Sequence, residues 1–166
     1  GKAVAVNSVK VSGNQAVISI DPIAPEAVEK SYDVSLKYKD GEVKTATLTV
    51  AAFVMENFAV ENGKFTATVD TALTASMISL DDFHATISAN GGEAEELALK
   101  SRSLRRGKLT VNFEKIGNLS KDMTYTVTLQ YKDGQVYSGS FDIGALWLAS
   151  IDAFDNPTLA FGRLFN

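Results

Sequence analysis

At 166 residues the chain is longer than one average domain and shorter than two, and its 45% hydrophobic content is that of a globular protein rather than a disordered one. A net charge of −4 and a pI near 5.0 leave no basic stripe of the kind a nucleic-acid binder needs. The absence of cysteine excludes a disulfide frame, a thiolate nucleophile and a zinc-thiolate site, and no stretch reaches the roughly 20 apolar residues that span a bilayer.

In chain order, Val4 and Val6, then Val17, Ile18 and Ile20, mark short apolar runs ahead of Pro22 and Pro25. A helical turn is expected over residues 25–30. Tyr32, Val34, Leu36 and Tyr38 then alternate with polar residues, the period-2 signature of a half-buried strand. Asp40-Gly41 reads as a two-residue hairpin turn, since glycine accepts positive φ at little cost. Ala46, Leu48 and Val50 follow, with Val43 out of phase, so a β-bulge is expected there and at Val136.

From residue 53 onward the expected strands are two over 54–70 around Asn62-Gly63, one over 82–89, and a middle strand over 94–100 after Asn90-Gly91-Gly92. Further strands are expected over 107–114, 124–132 and 135–143, and a second helical turn over 119–123. Lys100, Arg102, Arg105, Arg106 and Lys108 read as a solvated turn. Turn signals recur about every ten residues, which marks a sandwich or barrel. The inward set is then Phe65, Val69, Phe83, Ile87, Val111, Phe113, Val127, Leu129, Phe141 and Ile143.

Residues 31–50, SYDVSLKYKDGEVKTATLTV, align with residues 124–143, TYTVTLQYKDGQVYSGSFDI. Tyr38-Lys39-Asp40-Gly41 falls on Tyr131-Lys132-Asp133-Gly134, an offset of 93 residues. It holds upstream without a gap, Ile18 falling on Val111 and Val4 on Leu97, about forty-five positions in all, which points to internal duplication. Residues 58–69, FAVENGKFTATV, match residues 151–162 more loosely. On this reading 1–50 is the C-terminal half of a unit, 53–143 a complete one, and 144–166 the opening strands of a further one. Gly1-Lys2 reads as the start of a fragment, so a missing signal peptide carries little.

The stretches VENGKFTATVDTALTA at 60–75, DDFHATISANGGEAEEL at 81–97, GKLTVNF at 107–113 and YTVTLQYKDGQVYSGSFDI at 125–143 resemble the immunoglobulin-like modules strung along bacterial surface and S-layer-type proteins. The segment around Arg102–Arg106 departs from that pattern, since such modules carry small polar residues there. The resemblance implies an all-β, immunoglobulin-like antiparallel β-sandwich in tandem repeat. It also implies a non-catalytic structural, spacer or adhesion role outside the cell, at the cell surface, and no catalytic residue to carry over. Tyr32 and Tyr125 occupy the place of that fold's tyrosine corner, where a hydroxyl bonds upstream backbone, or are plain core tyrosines.

His84, the one histidine, would have to serve any Ser-His-Asp triad, yet it lies on a strand opposite the apolar set, and the chain reads as no enzyme with no cofactor. Asp81 and Asp82, with Glu93, Glu95 and Glu96 near, are the candidate calcium ligands, solubilising loop charge being the simpler reading. Trp147, Tyr137, Phe154 and Phe161 could stack on sugar rings, which keeps a carbohydrate- or cell-wall-binding module as the alternative, with cell-wall glycan as partner. Leu146, Trp147, Ile151, Leu159, Phe161 and Phe165 form an apolar tail without a core of its own and are the candidate interface. The partners expected are other copies of the chain or neighbouring modules, joined by strand complementation, with no nucleic acid and no membrane insertion.

Overall fold

The structure is a computed structural model that describes residues 3–117 and 121–146. Alternating apolar runs separated by turns give twelve strands and only two single-turn 3-10 helices among those residues. The strands are β1 (Val6–Ser12), β2 (Gln15–Ile20), β3 (Lys30–Leu36), β4 (Lys44–Val50), β5 (Glu56–Glu61), β6 (Lys64–Thr68), β7 (Phe83–Ala89), β8 (Glu95–Glu96), β9 (Leu99–Arg105), β10 (Lys108–Phe113), β11 (Met123–Tyr131) and β12 (Val136–Ile143). All strand pairing is antiparallel, in two four-stranded sheets, β5-β6-β10-β9 and β12-β11-β7-β8, and two separate hairpins, β1-β2 and β3-β4.

The two larger sheets share one core. Phe65 and Ala67 of β6 and Val69 just after it, with Leu109, Val111 and Phe113 of β10, face Phe83 and Ala85 of β7 and Val127, Leu129 and Tyr131 of β11. Phe53, Met55 and Ile78 close it. Val111, Val127 and Leu129 are fully buried, at 0% exposure, as central strands with neighbours on both edges should be. Ile87 and Phe141 pack at the rim of this core, so every residue of the expected inward set is buried or half-buried.

Four expectations about strands, bulges and helical turns are corrected here. The middle strand over 94–100 divides. β8 pairs with β7, the Leu97 amide donates to the Ala85 carbonyl at 2.9 Å, and the chain then crosses to the other sheet as β9. Leu97 and Leu99 both pack on the core, one from each side of that crossing, which is why one apolar alternation conceals two strands. The basic segment is not a turn but lies on β9 and β10. Only Arg106-Gly107 forms the turn, both with positive φ. β9 is an edge strand, where charge discourages further strand pairing. No bulge occurs at Val136: β11 and β12 pair in unbroken register, and Val136 points outward while Tyr137 continues the inward phase.

The fourth correction concerns residues 25–30, which form no helical turn. Glu26 instead makes a parallel bridge to Ala52. Of the turn expected over 119–123, residues 119 and 120 lie outside the described residues, and Met123 opens β11. The 3-10 turns at Ala75–Met77 and Leu80–Asp82 occur where the sequence carries no clear alternation. Ser79 caps the second, its hydroxyl accepting from the Asp81 amide at 3.3 Å.

β1 and β2 cover the residues that, 93 positions on, form β9 and β10. β3 likewise lies within the counterpart of β11, and β4 within that of β12. No residue of β1–β4 joins the core.

Candidate functional site

Among the described residues, a strap, residues 25–27, laid on the turn between β11 and β12, joins distant parts of the chain through several specific polar contacts. The turn comes first. Lys132 holds φ at 49°, a left-handed conformation, and the Gly134 amide donates back to the Tyr131 carbonyl at 3.0 Å. Lysine, not the expected glycine, therefore takes the strained position. Gly134 is needed for another reason. A Cβ there would lie 3.1 Å from both the Ala27 and the Tyr131 carbonyl oxygens, too close for comfort against backbone.

The strap supplies acceptors and the turn supplies donors. Tyr131 Oη donates to the Pro25 carbonyl at 3.2 Å, and Lys132 Nζ donates to the same carbonyl at 3.0 Å. Lys132 Nζ also lies 3.7 Å from Glu26 Oε2. The Glu26 carbonyl accepts from the Phe53 amide at 2.8 Å, and its carboxylate accepts from Tyr32 Oη at 2.5 Å. The Tyr131 ring is wedged between Phe53 and Phe83, with centroids at 4.2 Å and 5.2 Å. Burial, then the charge of Asp82 near by, raise the Tyr131 phenol well above its ordinary pKa. The bond from Tyr32, opposed by partial desolvation and aided by Lys132, lowers that of Glu26. Tyr131 thus remains a neutral donor and Glu26 an anionic acceptor.

Tyr32 does not use upstream backbone as a tyrosine corner would; its hydroxyl goes to the Glu26 side chain. The Tyr125 ring is buried and stacks on Phe141 at 5.5 Å.

The residues singled out by sequence fall as follows. Asp81 is exposed. Asp82 accepts from the Ser79 amide at 3.4 Å and lies 3.4 Å from Tyr131 Oη, so its carboxylate serves the cap and the core edge. Among the described residues no group of three or more His, Asp or Glu side chains comes together. His84 is exposed on β7 opposite Gln130. Tyr137 is half-buried against Phe58, and its hydroxyl accepts from the Met55 amide at 2.9 Å, so it is fastened to β5 rather than free as a platform. Leu146 is 59% exposed; Trp147, Ile151, Phe154, Leu159, Phe161 and Phe165 lie outside the described residues. No helix among the described residues is long and apolar enough to cross a membrane.

Sequence reasoning missed the strap. A signal was present, because a hairpin turn needs Asp-Gly but not the Tyr-Lys that precedes it at both 38–41 and 131–134. No family model and no curated protein matches the chain.

Proposed function

We propose that the chain is a non-catalytic structural module of an extracellular, cell-surface or S-layer-like protein, built as an immunoglobulin-like sandwich repeated in tandem, whose incomplete portions are covered by strands of neighbouring modules. The observation that carries this reading is the recurrence of four strands at one offset, buried in one instance and open in the other. The sheet orders β5-β6-β10-β9 and β12-β11-β7-β8 agree with strands A-B-E-D and G-F-C plus a short C′ of an immunoglobulin-like unit. A sandwich clamped to the segment before it through backbone acceptors suits a spacer that transmits position rather than one that turns over a substrate.

The tail is the proposed donor. Its residues 151–162 share the pattern of residues 58–69, which include most of β5 and all of β6, and β6 is the strand that covers β10. Donation to the edge of β2 that is unpaired among the described residues, in a second copy, is strand addition of an ordinary kind. Sedimentation velocity on the chain with residues 145–166 deleted tests it. The expected outcome is a monomer that melts lower and binds more apolar dye than the parent. Unchanged association and unchanged melting would overturn strand donation. Saturable sedimentation with cell-wall material, lost on Trp147→Ala, would favour the glycan-binding alternative.

A further inference from the structure

Two turns of this chain carry Tyr-Lys-Asp-Gly, and they are built alike. At residues 38–41 the Gly41 amide donates to the Tyr38 carbonyl at 3.0 Å, as Gly134 does to Tyr131, also at 3.0 Å. Lys39 has φ 50° against 49° for Lys132. Lys39 Nζ stands 5.3 Å from the centre of the Tyr38 ring, and Lys132 Nζ 5.2 Å from that of Tyr131. The left-handed lysine folds its ammonium back over the preceding ring in both, so tyrosine hydroxyl and ammonium are presented together.

Among the described residues only one of these turns is occupied. At 131–134 the two donors converge on the Pro25 carbonyl, with Glu26 beside the ammonium. At 38–41 Tyr38 is 75% exposed against 2% for Tyr131, and Lys39, Asp40 and Gly41 are exposed as well. Glycine at the last position suits the turn itself, since a Cβ would lie 3.0 Å from the Tyr38 carbonyl oxygen at Gly41 and 3.1 Å from the Tyr131 carbonyl oxygen at Gly134; in the occupied turn the Ala27 carbonyl oxygen of the strap lies equally close, at 3.1 Å. A hairpin alone asks for neither the tyrosine hydroxyl nor the lysine.

We propose that Tyr-Lys-Asp-Gly is a docking motif for the strap of the preceding repeat unit, and that residues 38–41 are a second copy of it, open to a strap with the chemistry of residues 24–28. That chemistry is an extended segment offering a proline carbonyl to two donors and a following carboxylate to the ammonium. The inference rests on reading the chain as a repeat of one unit, and it adds how units are held end to end. Within the chain the strap is tethered, so its effective concentration is millimolar or above, and the isolated contact is correspondingly weak.

The test uses the full chain labelled with nitrogen-15 and a peptide of residues 21–30 titrated to millimolar concentration. Amide shifts are expected at residues 38–41, where the turn is open, and not at 131–134, where the tethered strap competes. Lys39→Ala should abolish them; that side chain is solvent-exposed, so the fold is unaffected. Shifts absent at 38–41, or undiminished in Lys39→Ala, overturn the proposal. A second measurement needs no peptide. Tyr131→Phe combined with Lys132→Ala keeps the buried ring and removes both donors, so the rotational correlation times of residues 3–50 and 53–143 should separate. Equal correlation times in that variant, or parts already tumbling apart in the parent, also sink the docking motif. Neither result bears on the tail deletion, so this inference can fail while the structural-module reading stands.

Discussion

Residues 4–50 and 97–143 carry the same pattern 93 positions apart and meet opposite fates. Leu129 is 0% exposed; Leu36, its counterpart, is 42% exposed. Val111 and Val127 are fully buried, whereas Ile18 and Val34 are only partly covered. The hairpin partners are the same in both, β1 with β2 as β9 with β10, and β3 with β4 as β11 with β12. The difference lies in what comes from farther away. β10 has β6 on its second edge and β11 has β7, while β2 and β3 each have one paired edge among the described residues. Local sequence is therefore sufficient for strand and hairpin, and a core requires strands from elsewhere. A hairpin left alone is marginal in water.

That contrast can be broken most sharply at Val111. Val111→Asp places a carboxylate in a fully buried site and is expected to cost on the order of 5 kcal/mol, enough to unfold a small domain. Ile18→Asp, the same change 93 positions earlier, should fall within about 1 kcal/mol in urea denaturation. Equal losses would mean that both regions have cores.

A milder pair follows the same logic. Leu129→Ala should lower stability by about 2–5 kcal/mol through the cavity it leaves, and Leu36→Ala by well under that range. Covering β2 and β3 with added strands should raise the cost of Leu36→Ala toward that of Leu129→Ala, which denaturation with and without the partner would measure.

Smaller still is the turn contrast. Gly107 has φ 75°, and a Cβ would lie 2.8 Å from the Val69 carbonyl oxygen, whereas Gly13, with φ 58°, has no atom within 4 Å. Gly107→Ala is expected to cost about 1–2 kcal/mol in thermal melting and Gly13→Ala about half that or less, since only the first adds a clash to the strained φ.

The smallest effects come from protons on the strap. The Glu26 pKa is lowered by folding from 4.5, so its contribution is present above that value and is lost as pH falls through the lower folded value. The Tyr131 pKa is raised, so its contribution is present below its ordinary value of about 10 and is lost as pH climbs further and the unfolded chain forms phenolate. Melting temperature against pH should thus sag at both ends. Glu26→Gln should flatten the acid side and also ease the alkaline side, since the Glu26 charge contributes to raising Tyr131, and Tyr131→Phe should remove a phenolate component that titrates above the ordinary tyrosine value.

The sequence by itself determined the all-β character, most turn positions and the inward set over residues 53–143, because a period of two and turn-forming residues act over a few residues at a time. Val127, Leu129, Val111 and Phe65 were legible for that reason. Other features were decided only when distant parts met. The apolar run from Leu97 to Leu99 serves two sheets because β7 captures one end and β10 the other. Tyr137, apparently free as an aromatic, is tied down by the Met55 amide 82 residues away. The strap exists because Pro25 reaches Tyr131 and Lys132, more than a hundred residues on. Periodicity says which way a side chain points relative to its own strand; whether anything lies there to bury it depends on strands the local sequence does not contain.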